Sequence, residues 1–306
     1  MNAGEDSSDR TAAPTGASPV WWRERDDGLG VAHSYRMTRV HRERSAWQEI
    51  EVWEHPEMGR VLVLDGFVQT TQADEFVYHE MAAHVALCAR TGPASVLVVG
   101  GGYGGVLREV LRHDRVTSVD VVEIDERVIA VSNRYLGIQG DYGDPRVSLH
   151  VTDAADFFAR APRERRWDVV VLDLTEPVGP SRRLFSPAFC AALAAHLADG
   201  GVIVDSDSIV LTRRGPRFLQ ELCAGGAPNL VRLVHRHRAL AHVAAYHTVV
   251  PSYPGGVFGF FLYSRDGHDY SVPATGMTGR HYNAAVHRAS FALPAWWDEA
   301  LTGGER

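Results

Sequence analysis

Along the first quarter of the chain, apolar and polar residues alternate at every second position. HSYRMTRVHRE, WQEIEVWEH and GRVLVLDGFVQTT carry Val, Ile, Thr and Trp in this pattern, and EHPEMG separates two of them as a turn. The alternation predicts a small antiparallel β unit over residues 20–73. From Asp74 the period lengthens. DEFVYHEMAAHVALCAR sets Phe76, Met81 and Val85 at helical spacing, with Asp74 as its N-cap. SVLVVG, SVDVVEID, VSLHV, WDVVVLDL and GVIVDS then follow as near-continuous apolar runs between helical stretches. Such strands, alternating with helices, predict an α/β unit over residues 74–306, built on a mostly parallel sheet covered on both faces. AAYHTVVPSYP and GFFLYS end the pattern as a hairpin at the edge of that sheet.

Composition narrows the function classes. The 306-residue chain is 45% hydrophobic and carries a formal net charge of −7, with no Lys/Arg block on a predicted helix face. Nucleic acid, which needs a basic footprint, is therefore not an expected partner. A mildly acidic chain suits a cationic substrate. No run approaches the roughly 18 apolar residues of a membrane span. The opening MNAGEDSSDRTAAPTGASPV has acidic residues and no apolar core of a secretory signal, so residues 1–19 read as a disordered tail and the location as cytoplasmic. Cys88, Cys190 and Cys223 are odd in number, lack CxxC spacing and sit among apolar or small neighbours, which predicts reduced core residues.

The chemistry gathers at the predicted strand ends. VLVVGGGYGGVLREV passes from strand to helix through Gly100–Gly105, where glycine lets the backbone approach a ligand. Gly100, Gly102 and Tyr103 are thus candidate contacts. Glu123 ends the next strand about 20 residues on, where an acid can accept both ribose hydroxyls of a nucleoside. HVTDAADFF ends a third strand, with Asp153 facing an adenine amino group and Ala154 beside it. The turn meets GxGxxG spacing at Gly100, Gly102 and Gly105, but no pyrophosphate clamp is evident. The pattern therefore favours S-adenosylmethionine or a relative over NAD, as a cosubstrate rather than a permanent cofactor. The fourth strand end, VVVLDLTEPVGPSRRLF, sets Asp173 and Glu176 three apart, a pair suited to holding an ammonium group and taking its proton. The histidines show no metal-ligand spacing. His79 and His84, five apart on a predicted helix, are expected to serve packing or solvent contact.

Taken together, AWQEIEVWE, GRVLVLDGFVQTTQADEFVYHEM, GGGYGGVLREVL, VVEIDE, EPVGPSRRLF, VPSYPGGVFGF and HYNAAVHRASFALP resemble the spermidine synthase family of polyamine aminopropyltransferases, from about Trp21 to Pro294. The resemblance implies an N-terminal β unit on a Rossmann-like domain, assembled as homodimers or homotetramers. It also implies transfer of an aminopropyl group from decarboxylated S-adenosylmethionine to a small amine such as putrescine. By the same resemblance, Gln48 and Glu123 contact the nucleoside and Asp153 the adenine. Tyr78 and Asp173 orient and deprotonate the attacking amine. His79, Glu176 and Tyr253 belong to the amine pocket.

Departures cluster at the reacting end. The family turn reads Gly-Gly-Gly-Asp-Gly-Gly, and its Asp binds the amine of the aminopropyl arm; here Tyr103 takes that place. Asp-Ser-Ser/Thr-Asp-Pro has become Asp-Leu-Thr-Glu-Pro, with Leu174 and Glu176, and Phe258 stands where Trp is frequent. Tyr103 either reaches the transferred arm, narrows its pocket, or points away and leaves the ammonium to water or Asp205. Three functions stay open: aminopropyl transfer, methyl or aminocarboxypropyl transfer from intact S-adenosylmethionine, and adenosyl-ligand binding without turnover.

Overall fold

The computed structural model of the chain describes residues 18–26, 31–175, 179–206, 240–253 and 256–295. The expectations for the tail through residue 17, for Cys223 and for Glu176 lie outside them.

Strands β1 (Val20–Asp26), β2 (Val31–Arg44), β3 (Glu49–His55), β4 (Gly59–Leu64) and β5 (Phe67–Thr71) form an antiparallel sheet in sequence order. The two-residue period sorts its side chains by face. Met37, Trp53, Val61, Val63 and Val68 cluster on one face. Ile50, Val52, Leu62 and Leu64 line the other and pack on Tyr103, Val128, Val131, Leu136 and Ile138 of the following unit. GRVLVLDGFVQTT, continuous as a pattern, is two strands. Asp65 (φ +47°) and Gly66 (φ +84°) are both left-handed, as a two-residue hairpin turn requires.

The second sheet has the order β11-β12-β10-β9-β6-β7-β8. Its parallel part is β6 (Ala94–Gly100), β7 (Val116–Glu123), β8 (Val147–Val151), β9 (Trp167–Asp173) and β10 (Leu197–Asp205). β11 (His242–Val249) and β12 (Val257–Ser264) are the edge hairpin the apolar runs predict, with β12 antiparallel to β10. The chain runs outward from β6 to β7 and β8, then crosses back to β9 on the other side of β6. That reversal opens a crevice beyond the carboxyl ends of β6 and β9.

The helices are α1 (Glu75–Cys88), α2 (Gly105–Leu111), α3 (Glu126–Tyr135), α4 (Ala154–Arg160), α5 (Pro187–Ala195) and α6 (Ala284–Ser290). Every residue of α1 except Phe76 is buried, so the helix has no solvent face. It shares one core with Val96, Val98, Val169, Tyr246, Phe260 and Tyr282. Its polar residues are therefore all paired inside. Asp74 stands at the N-cap position but makes no capping bond with its side chain. Its carboxylate instead accepts from the hydroxyls of Thr71 (2.6 Å) and Ser252 (3.0 Å) and from the backbone N–H of Ser252 (2.7 Å), tying the β5–α1 junction to the loop after β11. His84 packs as expected, against His113 at 2.9 Å and Glu109 at 3.2 Å. Cys88 and Cys190 are buried in the core.

Glu80 accepts three backbone N–H groups in a row, from Arg280, His281 and Tyr282, at 2.8, 2.9 and 2.7 Å. One buried carboxylate thus fastens the C-terminal segment over α1. Glu80→Ala leaves these donors without an acceptor and is expected to lower unfolding stability by about 3 kcal/mol, with Glu80→Gln in between. Urea denaturation measures both, and equal stability of all three proteins would refute the role.

Candidate active site

Three strand tips and one glycine turn meet at the crevice. Asp173 ends β9 and lies 5% exposed. Two phenols, Tyr78 from α1 and Tyr103 from the turn, each donate to its Oδ1 at 2.7 Å. Its Oδ2 is buried and has no hydrogen-bond partner among the described residues. Burial raises the carboxyl's pKa, while the charge of His79 and the two phenol hydrogen bonds pull against that rise. The phenols are themselves pushed well above their usual range, first by burial and then by the Asp173 charge, so both act as donors at any ordinary pH. Tyr103 does not point away from the site: its ring sits in the apolar cluster beneath the N-terminal sheet and its hydroxyl reaches Asp173.

The glycines act through close packing rather than by offering free N–H groups. The Gly101 and Gly102 amides are already taken, by the Asp173 carbonyl at 3.0 Å and by Glu123 Oε2 at 3.0 Å. A side chain on Gly101 (φ +65°) would collide with the Asp173 carboxylate, and one on Gly102 with that of Glu123. Only glycine lets both acids press on the turn.

Glu123, at the tip of β7, also accepts from the Asp125 amide at 2.8 Å. Burial pushes its pKa up to about 7, against the pull of these backbone donors. Gln48 stands at the rim and donates to Asp125 Oδ2 at 3.0 Å. Asp153 caps α4 through Oδ1, accepting from the Ala155 amide at 2.7 Å, and its Oδ2 pairs with Arg183 at 3.1 Å. An adenine amino group at Asp153 must share that carboxylate with Arg183.

Behind Asp173, His79 packs edge-on against Tyr78 (5.3 Å between ring centroids) and beside Tyr103 (5.5 Å). Its Nδ1 bonds Glu75 at 2.5 Å, and Arg108 holds the same Glu75 oxygen at 2.8 Å. Glu75 therefore sits below the usual carboxylate range: burial raises its pKa, but His79 and Arg108 together outweigh that. The Nε2 of His79 is buried and has no hydrogen-bond partner among the described residues. Tyr253 packs 6.1 Å from Tyr78 and 5.3 Å from Phe258, with its hydroxyl donating to the Gln69 carbonyl at 2.8 Å.

The crevice encloses about 780 Å³ including its open mouth and is lined by Gln48, Gly100, Gly102, Tyr103, Glu123, Asp153, Ala154 and Asp173. Tyr78, His79 and Tyr253 join it from the α1 side through Asp173 and their shared ring contacts. Trp47, Gln69 and Thr152 also line it and escaped the sequence reading, as did the Glu75–Arg108 pair behind His79. The i,i+4 spacing of Glu75 and His79 carries a signal for that pair. Among the described residues no group of three or more His, Cys, Asp or Glu side chains is placed to hold a metal ion.

Comparison with known proteins places this geometry. The family model described as spermine/spermidine synthase domain matches residues 75–271, and the one described as spermidine synthase tetramerisation domain matches residues 20–72. The chain belongs to the spermine/spermidine synthase family. It is 38% identical over 295 residues to a spermine synthase of Arabidopsis thaliana, covering 91% of this chain and 76% of that one. A polyamine aminopropyltransferase of Sodalis glossinidius is 36% identical over 278 residues, covering 86% and 91%. Among solved structures, a spermidine synthase in complex with the transition-state analogue AdoDATO superposes with a TM-score of 0.79 at 30% identity, covering 95% of this chain and 97% of that one. Spermidine synthase from Thermotoga maritima gives 0.79 at 30%, covering 94% and 97%. Both the family resemblance read from the motifs and the Rossmann-like fold with its antiparallel N-terminal sheet are borne out.

The ribose contact expected of Glu123 in this spermidine synthase-like crevice calls for its ionised form. With its pKa near 7, nucleoside affinity is expected to be flat above neutrality and to fall up to about tenfold per pH unit below it. Calorimetric titration with methylthioadenosine from pH 5.5 to 8.5 checks this. Glu123→Gln should bind weakly at every pH, and an unchanged slope in that variant would assign the dependence elsewhere.

Proposed function

We propose that this chain is an aminopropyltransferase, moving an aminopropyl group from decarboxylated S-adenosylmethionine to putrescine or a related small amine. The observation that carries the reading is the buried Asp173 carboxylate, pinned through one oxygen and unpartnered at the other among the described residues. An acceptor without a donor, close to the packed rings of Tyr78, Tyr253 and Phe258, suits an ammonium or amine nitrogen. The family relatives named above point the same way.

The adenosine is held by Gln48, Gly100, Gly102, Glu123, Asp153 and Ala154, with the sulfonium near Tyr103. The amine enters beside Tyr78, His79 and Tyr253, with Glu176 contributing from outside the described residues. Its neutral nitrogen attacks the sulfur-bound carbon of the arm. The C–N bond forms as the C–S bond breaks, and its electron pair returns to sulfur, leaving neutral methylthioadenosine. The nitrogen's surplus proton passes to Asp173. Burial makes that carboxylate a better proton acceptor than an exposed one. The sulfonium is already activated, so alignment and exclusion of water supply most of the acceleration.

The N-terminal sheet, residues 20–73, serves assembly and lends Gln48 to the site, and the remainder is the catalytic domain. Val20 and Trp21 on β1 are 51% and 73% exposed, an apolar edge fitting the assembly that the tetramerisation model describes. Sedimentation is expected to give a dimer or tetramer, reduced to a smaller species in Trp21→Glu; a wild-type monomer refutes this. The buried Cys88 and Cys190 suit a cytoplasmic location.

Incubated with decarboxylated S-adenosylmethionine and an amine panel, the protein is expected to release methylthioadenosine and an amine heavier by one aminopropyl group. Asp173→Asn should lower kcat by about a hundredfold or more, with methylthioadenosine affinity within about twofold of wild type. A methylated or aminocarboxypropylated product formed only from intact S-adenosylmethionine would replace this reading, and Tyr103, which leaves the turn without a carboxylate, is the feature that would then explain it.

A further inference from the structure

We infer that Tyr103 is a positioning residue for Asp173, which together with Tyr78 saturates Oδ1 and so assigns proton acceptance to Oδ2. The inference rests on the amine-transfer reading and deepens it at one atom. A carboxylate oxygen has two lone-pair sites, and both of those on Oδ1 are filled by phenol hydroxyls at 2.7 Å. Only Oδ2 keeps capacity, and it lies against the backbone of Gly101, on the turn side of the crevice.

The Tyr103 ring belongs to a buried apolar cluster with Ile50, Val52, Leu64, Val128 and Ile138, drawn from both the N-terminal sheet and α3 with the loop after it. The aspartate that the family motif carries at this position would set a second negative charge beside Asp173 and favour its protonated form. The phenol does the reverse: it stabilises the ionised carboxylate without adding charge. The exchange of Asp for Tyr at the turn therefore inverts the influence of position 103 on the proton acceptor. The other titratable groups facing Asp173 are Tyr78 and His79 from α1, and Tyr142 from the loop after α3, whose phenol is raised by burial and by the charges of Glu123 and Asp173.

Tyr103→Phe keeps the ring and removes the hydroxyl alone. Carbon NMR of enzyme labelled at aspartate Cγ, with the Asp173 signal assigned by Asp173→Asn, reads the carboxyl directly and needs no turnover. Its midpoint is expected to rise by about half to one pH unit in Tyr103→Phe, and by more in Tyr103→Asp. The acidic limb of the kcat/KM profile should move upward by the same amount, with the donor KM within about twofold of wild type. A midpoint that stays put in Tyr103→Phe overturns the inference and makes the tyrosine a packing residue. A large rise in donor KM with an unmoved limb also overturns it, because the hydroxyl then serves the donor arm. Absence of any group transfer by the wild-type protein would defeat the amine-transfer reading instead, and the NMR midpoint would still decide the role of Tyr103.

Discussion

A carboxylate buried at a strand tip is the constraint around which this molecule is organised. Taking Asp173 out of water disfavours its charged form, and the chain answers with donors that are themselves buried. Two phenols reach it from two directions, one on α1 and one on the glycine turn. For Tyr78 to arrive, α1 must lie flat on the sheet with no face left for water, which is why its acids and histidines are all internally matched. For Tyr103 to arrive, the turn must pass close enough to Asp173 that Gly101 admits no side chain.

The N-terminal sheet enters the same account. Ile50, Val52, Leu62 and Leu64 of the sheet share a buried cluster with Tyr103, Val128, Val131 and Leu136. The orientation of a phenol in the crevice is thus fixed by a sheet that contributes little else to it than Gln48 and its neighbours. Asp74 and Tyr253 extend the link, since the acid holds the loop that carries the tyrosine, and the tyrosine hydroxyl returns to Gln69 between β5 residues. The N-terminal sheet and the turn that carries Tyr103 share one buried cluster, so a change in either reaches the other directly.

The large features were legible because they rest on period. Alternation gave the antiparallel sheet, and unbroken apolar runs gave the parallel strands and the edge hairpin. The tips of those strands then located Glu123, Asp153 and Asp173. Period was silent where backbone conformation or long-range pairing decides. The Asp65–Gly66 hairpin hides inside an uninterrupted alternation. The helical spacing of α1 left its burial open, and nearly all of it is buried, with the C-terminal segment some 200 positions away fastened to Glu80. Asp74 has the identity of a cap, but its oxygens are taken by two hydroxyls and an amide of Thr71 and Ser252. The partner of Tyr103 lies 70 residues further along the chain, at a distance no local pattern encodes.

Glu123 and Asp173 meet the same cost of burial by different means. Glu123 is served by two backbone amides, whose geometry is set by the turn and cannot adjust when a ligand arrives. Asp173 is served by two hydroxyls, which can rotate to follow a shifting charge. Each fits the task proposed for it. A nucleoside grip needs a fixed carboxylate that keeps its charge through the reaction, whereas a proton acceptor must lose its charge and regain it. Phenol donors on Oδ1 stay in place when Oδ2 is protonated, because the neutral acid still accepts through its carbonyl oxygen. Fixed amides at one end and rotatable hydroxyls at the other divide a single crevice into a part that holds and a part that reacts.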